Sequence, residues 1–376
     1  MTRPVISAWS AVSPFGAGSA AFAHGVTAGL RAVAPLGADG GPLPQTHAAP
    51  VPDFDARRIL GRKGTRSLDR VGALALAALG ELLAGAGRVQ EIATGERAGL
   101  VLGTTLGSAA SMMDITRDTL TRELPYFVDA ARIPNAVMNS AAAQCAIRHG
   151  IRGPNTTVAG GRSAGLLALR YAMRLLAAGR AGAVLCGGAE ELTRERSWLE
   201  HHAHRGAERP LGEGCALLLV EPPAAPGSPA ARRALAEVLA VETRTHVGGP
   251  LADATAACLR RALTRGGVTA GELWAVSPSG EAAWERAVDA ECARGAGGRR
   301  PVRLPDDTAW GDAGAATAAF QIASALAAAE HDPASRGRVA AITSFDREGV
   351  LACALLRIHP YGRIHPYGTK ARTDDD

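Results

Sequence analysis

Few residues in this chain have the type and setting to do chemistry, and the most suggestive of them share one turn. The stretch GPNTTVAGGRSAGL (153–166) reads as a Gly-Pro break, a short strand over 156–159, a tight turn and the start of an apolar helix. The turn carries Arg162 and Ser163. A guanidinium stays protonated and offers only donors, so Arg162 cannot be acylated or act as a base. Six cysteines, at 145, 186, 215, 258, 292 and 353, match no zinc or redox spacing. Cys145, Cys186, Cys215 and Cys353 lie in apolar runs and are expected to be small buried hydrophobes. Cys145 could be a displaced nucleophile, but it falls within a helical pattern over 141–148 and not on a turn. The run His201-His202-Ala203-His204 has no carboxylate or cysteine at ligand spacing, so a surface loop is expected there, with neither metal nor cofactor.

These side chains need a large scaffold, and the composition supplies one. With 376 residues, 47% of them hydrophobic and 20% charged, the chain can bury a sizeable core. No apolar run reaches the roughly 20 residues of a membrane span. Residues 1–11 lack the charged-then-apolar layout of a signal peptide, so a cytoplasmic address is expected. The net charge of +5 is modest and forms no stripe, which argues against nucleic acid as a partner. The clusters Arg57-Arg58, Arg62-Lys63-Arg66 and Arg260-Arg261 read either as solvated surface or as an attraction for an acidic partner.

Strand-like and helix-like segments alternate in two halves, the pattern of an α/β architecture with buried sheets. The first half spans 1–221. The proline-rich run 222–229 breaks any regular element and serves as a connector. The second half spans 232–357, with an amphipathic helix over 253–265, a strand over 273–276, a long alanine-rich helix over 313–329, and strands over 339–343 and 350–356. The tail, 358–376, repeats RIHPYG twice, ends in charge and is expected to be disordered.

Five segments, in order, resemble the β-ketoacyl synthase family across nearly the whole chain: VISAWSAVSPFG (5–16), ILGRKGTRSLDR (59–70), GLVLGT (99–104), the turn at 153–166, and GEGCALLLVE (212–221). The resemblance implies a thiolase-like, five-layered αβαβα fold built from two similar halves. It also implies where catalytic groups should lie, and there they are missing. Arg162 stands where condensing members carry cysteine. SPSG (277–280) matches the first histidine loop with Ser277, and GDAGAA (311–316) matches the second with Asp312. The expected lysine falls at Asp306 or Asp307, and DREG (346–349) replaces a Gly-Phe-Gly-Gly turn. Decarboxylative condensation needs an acylated thiolate and donors for the enolate, and a carboxylate at 312 would repel that enolate.

Within this family the chain length factor (ketosynthase β subunit) of type II polyketide synthases lacks the cysteine, and the stretch 99–166 resembles it, with Arg162 where aromatic-polyketide members usually carry glutamine. That departure points to an atypical branch, one working with reducing enzymes on polyene chains. The resemblance implies a heterodimer with an active ketosynthase, service by an acyl carrier protein, and a tunnel that limits chain length. Expected gate residues are Ala109, Met112 and Thr116, which share one face of a helix over 108–120. Expected interface residues are Asn135, Val137, Met138, Thr156, Thr157 and Val158, because an edge strand is rarely left bare. Arg162 and Asp312 are expected to form an ion pair that fills the dead pocket. The alternative is a same-fold enzyme with displaced chemistry, acyl transfer or decarboxylation at Ser163 or Cys145.

Overall fold

Runs such as AGLVLGT and AVLCGGAE have no polar alternation, the mark of parallel strands covered on both faces. In the computed structural model they are the strands Ala98–Thr104 and Ala183–Glu190, buried at every position. The structure describes residues 3–36, 43–85, 87–203, 209–225, 228, 231–278, 280, 282–294 and 300–359.

Among the described residues, ten strands form one continuous mixed sheet whose two halves repeat the same topology, with the two-residue strand Gly16–Ala17 paired to Val5–Ser13 off this path. From the centre outwards, the first half runs Val5–Ser13, Gly214–Glu221, Ala183–Glu190, Ala98–Thr104 and Asn155–Ala159. The second runs Ala236–Thr245, Val350–Ile358, Val339–Phe345, Leu273–Ser277 and Val302–Arg303. In each half the spatial order is first, fifth, fourth, second, third strand. The first two neighbouring pairs are antiparallel and the next two parallel. The halves join where Val5 pairs with Glu237 and Ile6 with Ala236. This is the duplicated thiolase-like fold implied by the sequence.

Helices Arg70–Ala84 and Ser140–His149 cover the outer face of the first half, and Leu251–Gly266 with Ala282–Arg294 that of the second. Helices Ala164–Ala177 and Thr317–His331 lie between the halves. Three apolar clusters fill the gaps: an outer one around Leu74 and Leu100, a central one around Leu166 and Phe320, and an outer one around Leu259 and Leu355. The central helices approach closely at Gly165, where a Cβ would sit 2.8 Å from the amide nitrogen of Ala319. That contact carries the turns at their N-termini toward one another.

Several boundaries differ from the sequence reading. The last strand runs to Ile358, whose pairing with Ala236 keeps it in the sheet and out of the tail; 360–376 lie outside the described residues. Helix Ala282–Arg294 was not expected; Trp284, Ala287 and Val288 bury its inner face. His201, His202 and Ala203 end the helix Arg194–Ala203 and do not form a loop, with the Trp198 ring stacked against His202. His204 lies outside the described residues. Among the described residues no helix is long and apolar enough to cross a membrane.

Candidate functional site

Two equivalent turns build the site, one from each half. The edge strand Asn155–Ala159 leads through Gly160 into the 3₁₀ turn Gly161–Ser163 and then the central helix Ala164–Ala177. In the second half, Asp312 precedes the 3₁₀ turn Gly314–Ala316 and the central helix Thr317–His331. The duplication therefore sets Arg162 and Asp312 facing each other at the ends of paired helices.

Arg162 is 6% exposed and spreads its guanidinium over two carboxylates. Nη1 donates to Asp312 Oδ2 at 3.1 Å and Nη2 to Asp307 Oδ2 at 2.6 Å. Asp312 also accepts at Oδ1 from the Gly314 amide, 3.1 Å away. Burial alone would favour its neutral form, but the charges of Arg162 and then Arg196 outweigh this and hold its carboxyl below the usual range. Asp307 goes the other way. Burial pushes its carboxyl up, the opposing pull of Arg162 does not cancel this, and the charge of Asp312 adds to the rise. The two carboxyls bonded to one guanidinium are thus shifted in opposite directions.

Arg196 is a second buried cation, and no pattern in its polar helix, RERSWLEHHA, marked it. It donates from Nη1 to the carbonyls of Glu191 (2.9 Å) and Gly212 (2.7 Å), and from Nη2 to that of Asp312 (2.9 Å). It braces the backbone that carries Asp312. Beside it, Glu190 accepts from the hydroxyl of Thr105 and from the amide of Ala315 at 3.2 Å.

The remaining predicted positions separate. Ser277 is fully buried at the end of its strand, and among the described residues its hydroxyl has no hydrogen-bond partner; it is not joined to Arg162. Ser163 is equally buried, its hydroxyl 3.0 Å from that of Ser344 and 3.4 Å from the carbonyl of Val350. Neither contact supplies a base. Burial pushes the Cys145 thiol up to about 12, which leaves it protonated and unreactive at neutral pH. All six cysteines are free and buried. Among the described residues no group of three or more His, Cys, Asp or Glu side chains could hold a metal.

The ion pair does not fill the pocket, contrary to expectation. A cavity of about 540 Å³ remains in front of it, bounded by Leu106, Ala109, Leu199 and Val350 as well as Arg162 and Asp312. A second, of about 560 Å³, lies behind, against Arg31, Arg209, Asp307 and Asp312. Arg162 and Asp312 line the first cavity and Asp307 and Asp312 the second, so the cluster forms a polar wall between the two and the ion pair leaves open space on either side.

The helix expected to carry the gate is Ala109–Thr121, capped by the Ser108 hydroxyl. Ala109 is buried and lines the front cavity, while Met112 and Thr116 lie exposed on this chain. The strand Asn155–Ala159 is the outer edge of the sheet, with Thr156, Thr157 and Val158 half-buried. Val137 and Met138 are exposed. Asn135 is buried: its amide donates to the carbonyl of Ser67 and its Oδ1 accepts from Gln144 at 3.0 Å, so it ties the segment to its own chain. Of the basic clusters, Arg260 and Arg261 face Glu291 and Glu242, whereas Arg57, Arg58, Arg62 and Arg66 line an open surface cleft with Asp55.

The chain belongs to the β-ketoacyl synthase family, whose N-terminal domain model matches residues 3–223. The solved ishigamide ketosynthase/chain length factor is 46% identical to it, covers 95% of this chain and 99% of its own, and superposes with a TM-score of 0.87. A β-ketoacyl synthase from Burkholderia phymatum, 22% identical over 95% of this chain and all of its own, shares the fold with a TM-score of 0.77. The 3-oxoacyl-[acyl-carrier-protein] synthase 2 of Synechocystis is 26% identical over 58% of this chain, and that of Coxiella burnetii 27% over 50%. The chain spans 57% and 45% of the lengths of these two relatives.

Proposed function

We propose that this chain is a chain length factor: a non-catalytic ketosynthase-like subunit that pairs with an active ketosynthase and shapes the tunnel limiting a polyketide's length. One observation carries the reading. In a chain 46% identical to the ishigamide ketosynthase/chain length factor, the turn that would present a nucleophile holds Arg162 clasped by two carboxylates. An ion pair buried at the reacting centre offers neither an acyl acceptor nor enolate donors, so condensation falls to the partner. The edge strand Asn155–Ala159 and the exposed Val137 and Met138 support pairing. The front cavity beside Ala109 supports a role in holding a growing chain. An acyl carrier protein, which is acidic, would be steered by the exposed Arg57, Arg58, Arg62 and Arg66.

Among the described residues, neither candidate supports displaced acyl transfer or decarboxylation: Ser163 contacts no base and Cys145 stays a thiol. The test is co-expression with a ketosynthase that keeps its cysteine and histidines. Co-purification of the two chains, with products of one narrow length range only when both are present, supports the reading. Full activity and an unchanged product from the ketosynthase alone would overturn it.

A further inference from the structure

Arg162 accounts for the missing nucleophile, but a second feature of the turn concerns the oxygen of any thioester. Acyl transfer needs backbone N–H groups aimed at the oxygen that becomes negative in the tetrahedral intermediate, and the amide of the nucleophile position is a natural donor. Here that amide is taken. Arg162 N donates to Asp346 Oδ1 at 2.9 Å, and Glu348 N donates to Asp346 Oδ2 at 3.0 Å. One carboxylate from the turn joining the last two strands therefore holds two converging amides. Asp346 is 8% exposed and borders the front cavity, so the carboxylate sits where a ligand in that cavity would meet these amides.

The neighbouring residue is shaped by the same contact. Gly161 has φ +49°, and a Cβ there would overlap Asp346 Oδ1. Any larger side chain would collide with the carboxylate, which means the turn is built around it.

We infer that Asp346 is an internal anion that occupies the site where an acyl thioester's oxygen would bind, so the turn would refuse acylation even if a nucleophile were restored. The silence of the site then has two independent causes: the side chain of residue 162 and the carboxylate held against its amide. Asp346 acts as a positioning residue, through the amides it holds.

The test restores the nucleophile in full-length protein as Arg162→Cys with Asp307→Asn and Asp312→Asn, so that no unpaired carboxylates face the thiol. Into this background go Asp346→Ala, which empties the amide site, and Asp346→Asn, whose oxygen can still fill it. Each protein is treated with a hexanoyl thioester of N-acetylcysteamine, and acylation of the introduced thiol is followed by intact mass. In this step the introduced thiolate forms a bond to the carbonyl carbon, the donor's carbon–sulfur bond breaks, and N-acetylcysteamine leaves as a thiolate that takes a proton from water. Iodoacetamide alkylation, which develops no oxyanion, corrects for access and thiol acidity.

Asp346→Ala should raise the ratio of acylation to alkylation on the order of 100-fold, the worth of an oxyanion donor, and Asp346→Asn should raise it little. An unchanged ratio in Asp346→Ala, or an equal rise in both variants, overturns the inference. If the multiple variants do not fold, Asp346→Ala alone decides. Formate should then raise its melting temperature saturably, while leaving the parent and Asp346→Asn unmoved. No such rise, or the same rise in all three, overturns the inference.

Discussion

Arg162 and Asp312 meet at 3.1 Å across the two halves of the duplicated fold, each from the turn that starts a central helix. The topology that lets two turns build one active site here builds an ion pair. A buried pair of this kind is weak evidence for stability in itself, because desolvating the charges costs about as much as their attraction returns. Its removal in part is another matter. Arg162→Met takes from Asp307 and Asp312 the guanidinium that bonds both, leaving only the more distant charges of Arg196 and Arg209, and should cost about 3–5 kcal/mol in urea unfolding. Arg162→Met with Asp307→Leu and Asp312→Leu removes all three charges and should recover most of that loss. A triple variant as unstable as the single one would show that the cluster stabilises the fold beyond satisfying its own charges.

The pH dependence of stability has a sign that two carboxyls fix. Burial pushes Asp69 up to about 6 and Glu191 up to about 7, against backbone N–H groups that pull both down. A folded acid with a raised value binds its proton more tightly than the unfolded chain. Its contribution is therefore complete below the unfolded value near 4 and is lost as pH rises through 6 to 7. Asp312, held low, works in the opposite sense: its contribution is present above that value and lost as pH falls. Replacing Glu191 with Gln keeps the acceptor for the Ala110 amide and removes the titration. The fall in unfolding free energy between pH 5 and pH 8 should then shrink by on the order of 2–3 kcal/mol relative to the parent. An identical slope in both proteins would mean that Glu191 does not titrate in that window.

How much of this site was legible depends on whether a residue's role was local. Asp312 could be read because GDAGAA keeps its glycines around one changed position, and Asp307 because it falls where a charged group was expected. Arg162 could be read because a guanidinium excludes acylation whatever surrounds it. Ser277 was located in sequence, but its buried hydroxyl makes no hydrogen bond to the cluster among the described residues, and pairing of that kind depends on tertiary packing. Arg196 left no trace: its task is to hold three backbone carbonyls, which only tertiary packing brings together. The bonds of Asn135 to Ser67 and Gln144 left no trace for the same reason. The repeated sheet order was legible as alternation; the helix Ala282–Arg294 was not, because its charged residues mask a narrow apolar stripe.

Pairing with a ketosynthase should depend on the exposed segment beside the edge strand. Val137 and Met138 are 50% and 41% exposed, and Gly107 packs directly against the Met138 backbone, which holds the segment in place. Val137→Asp or Met138→Asp places a charge in an apolar contact and should weaken association roughly tenfold or more. The isolated chain should keep its melting temperature, because neither side chain is in its core. Analytical sizing of the co-expressed pair measures this, and undiminished complex formation by both variants would move the interface elsewhere.

The gate is read from the helix Ala109–Thr121. Ala109 faces the front cavity and is 2% exposed, whereas Met112 and Thr116 lie on the outer part of the same helix face. Ala109 borders the front cavity, whereas Met112 and Thr116 are exposed and would line a tunnel if the partner closed over them. The three residues therefore make separable predictions. Ala109→Phe should shorten the product of the reconstituted pair by narrowing the cavity, with some loss of stability from overpacking, typically about 1–3 kcal/mol. Thr116→Phe should shorten the product with no stability cost in the isolated chain, because its side chain is exposed there and its hydroxyl bonds to the Met112 carbonyl of its own helix. Mass spectrometry of the products, with complex formation checked by sizing, tests both. If Ala109→Phe shortens the chain and Thr116→Phe does not, the growing product enters this subunit's own cavity and does not run along the shared surface. If both leave the length unchanged in an intact complex, this helix does not set it.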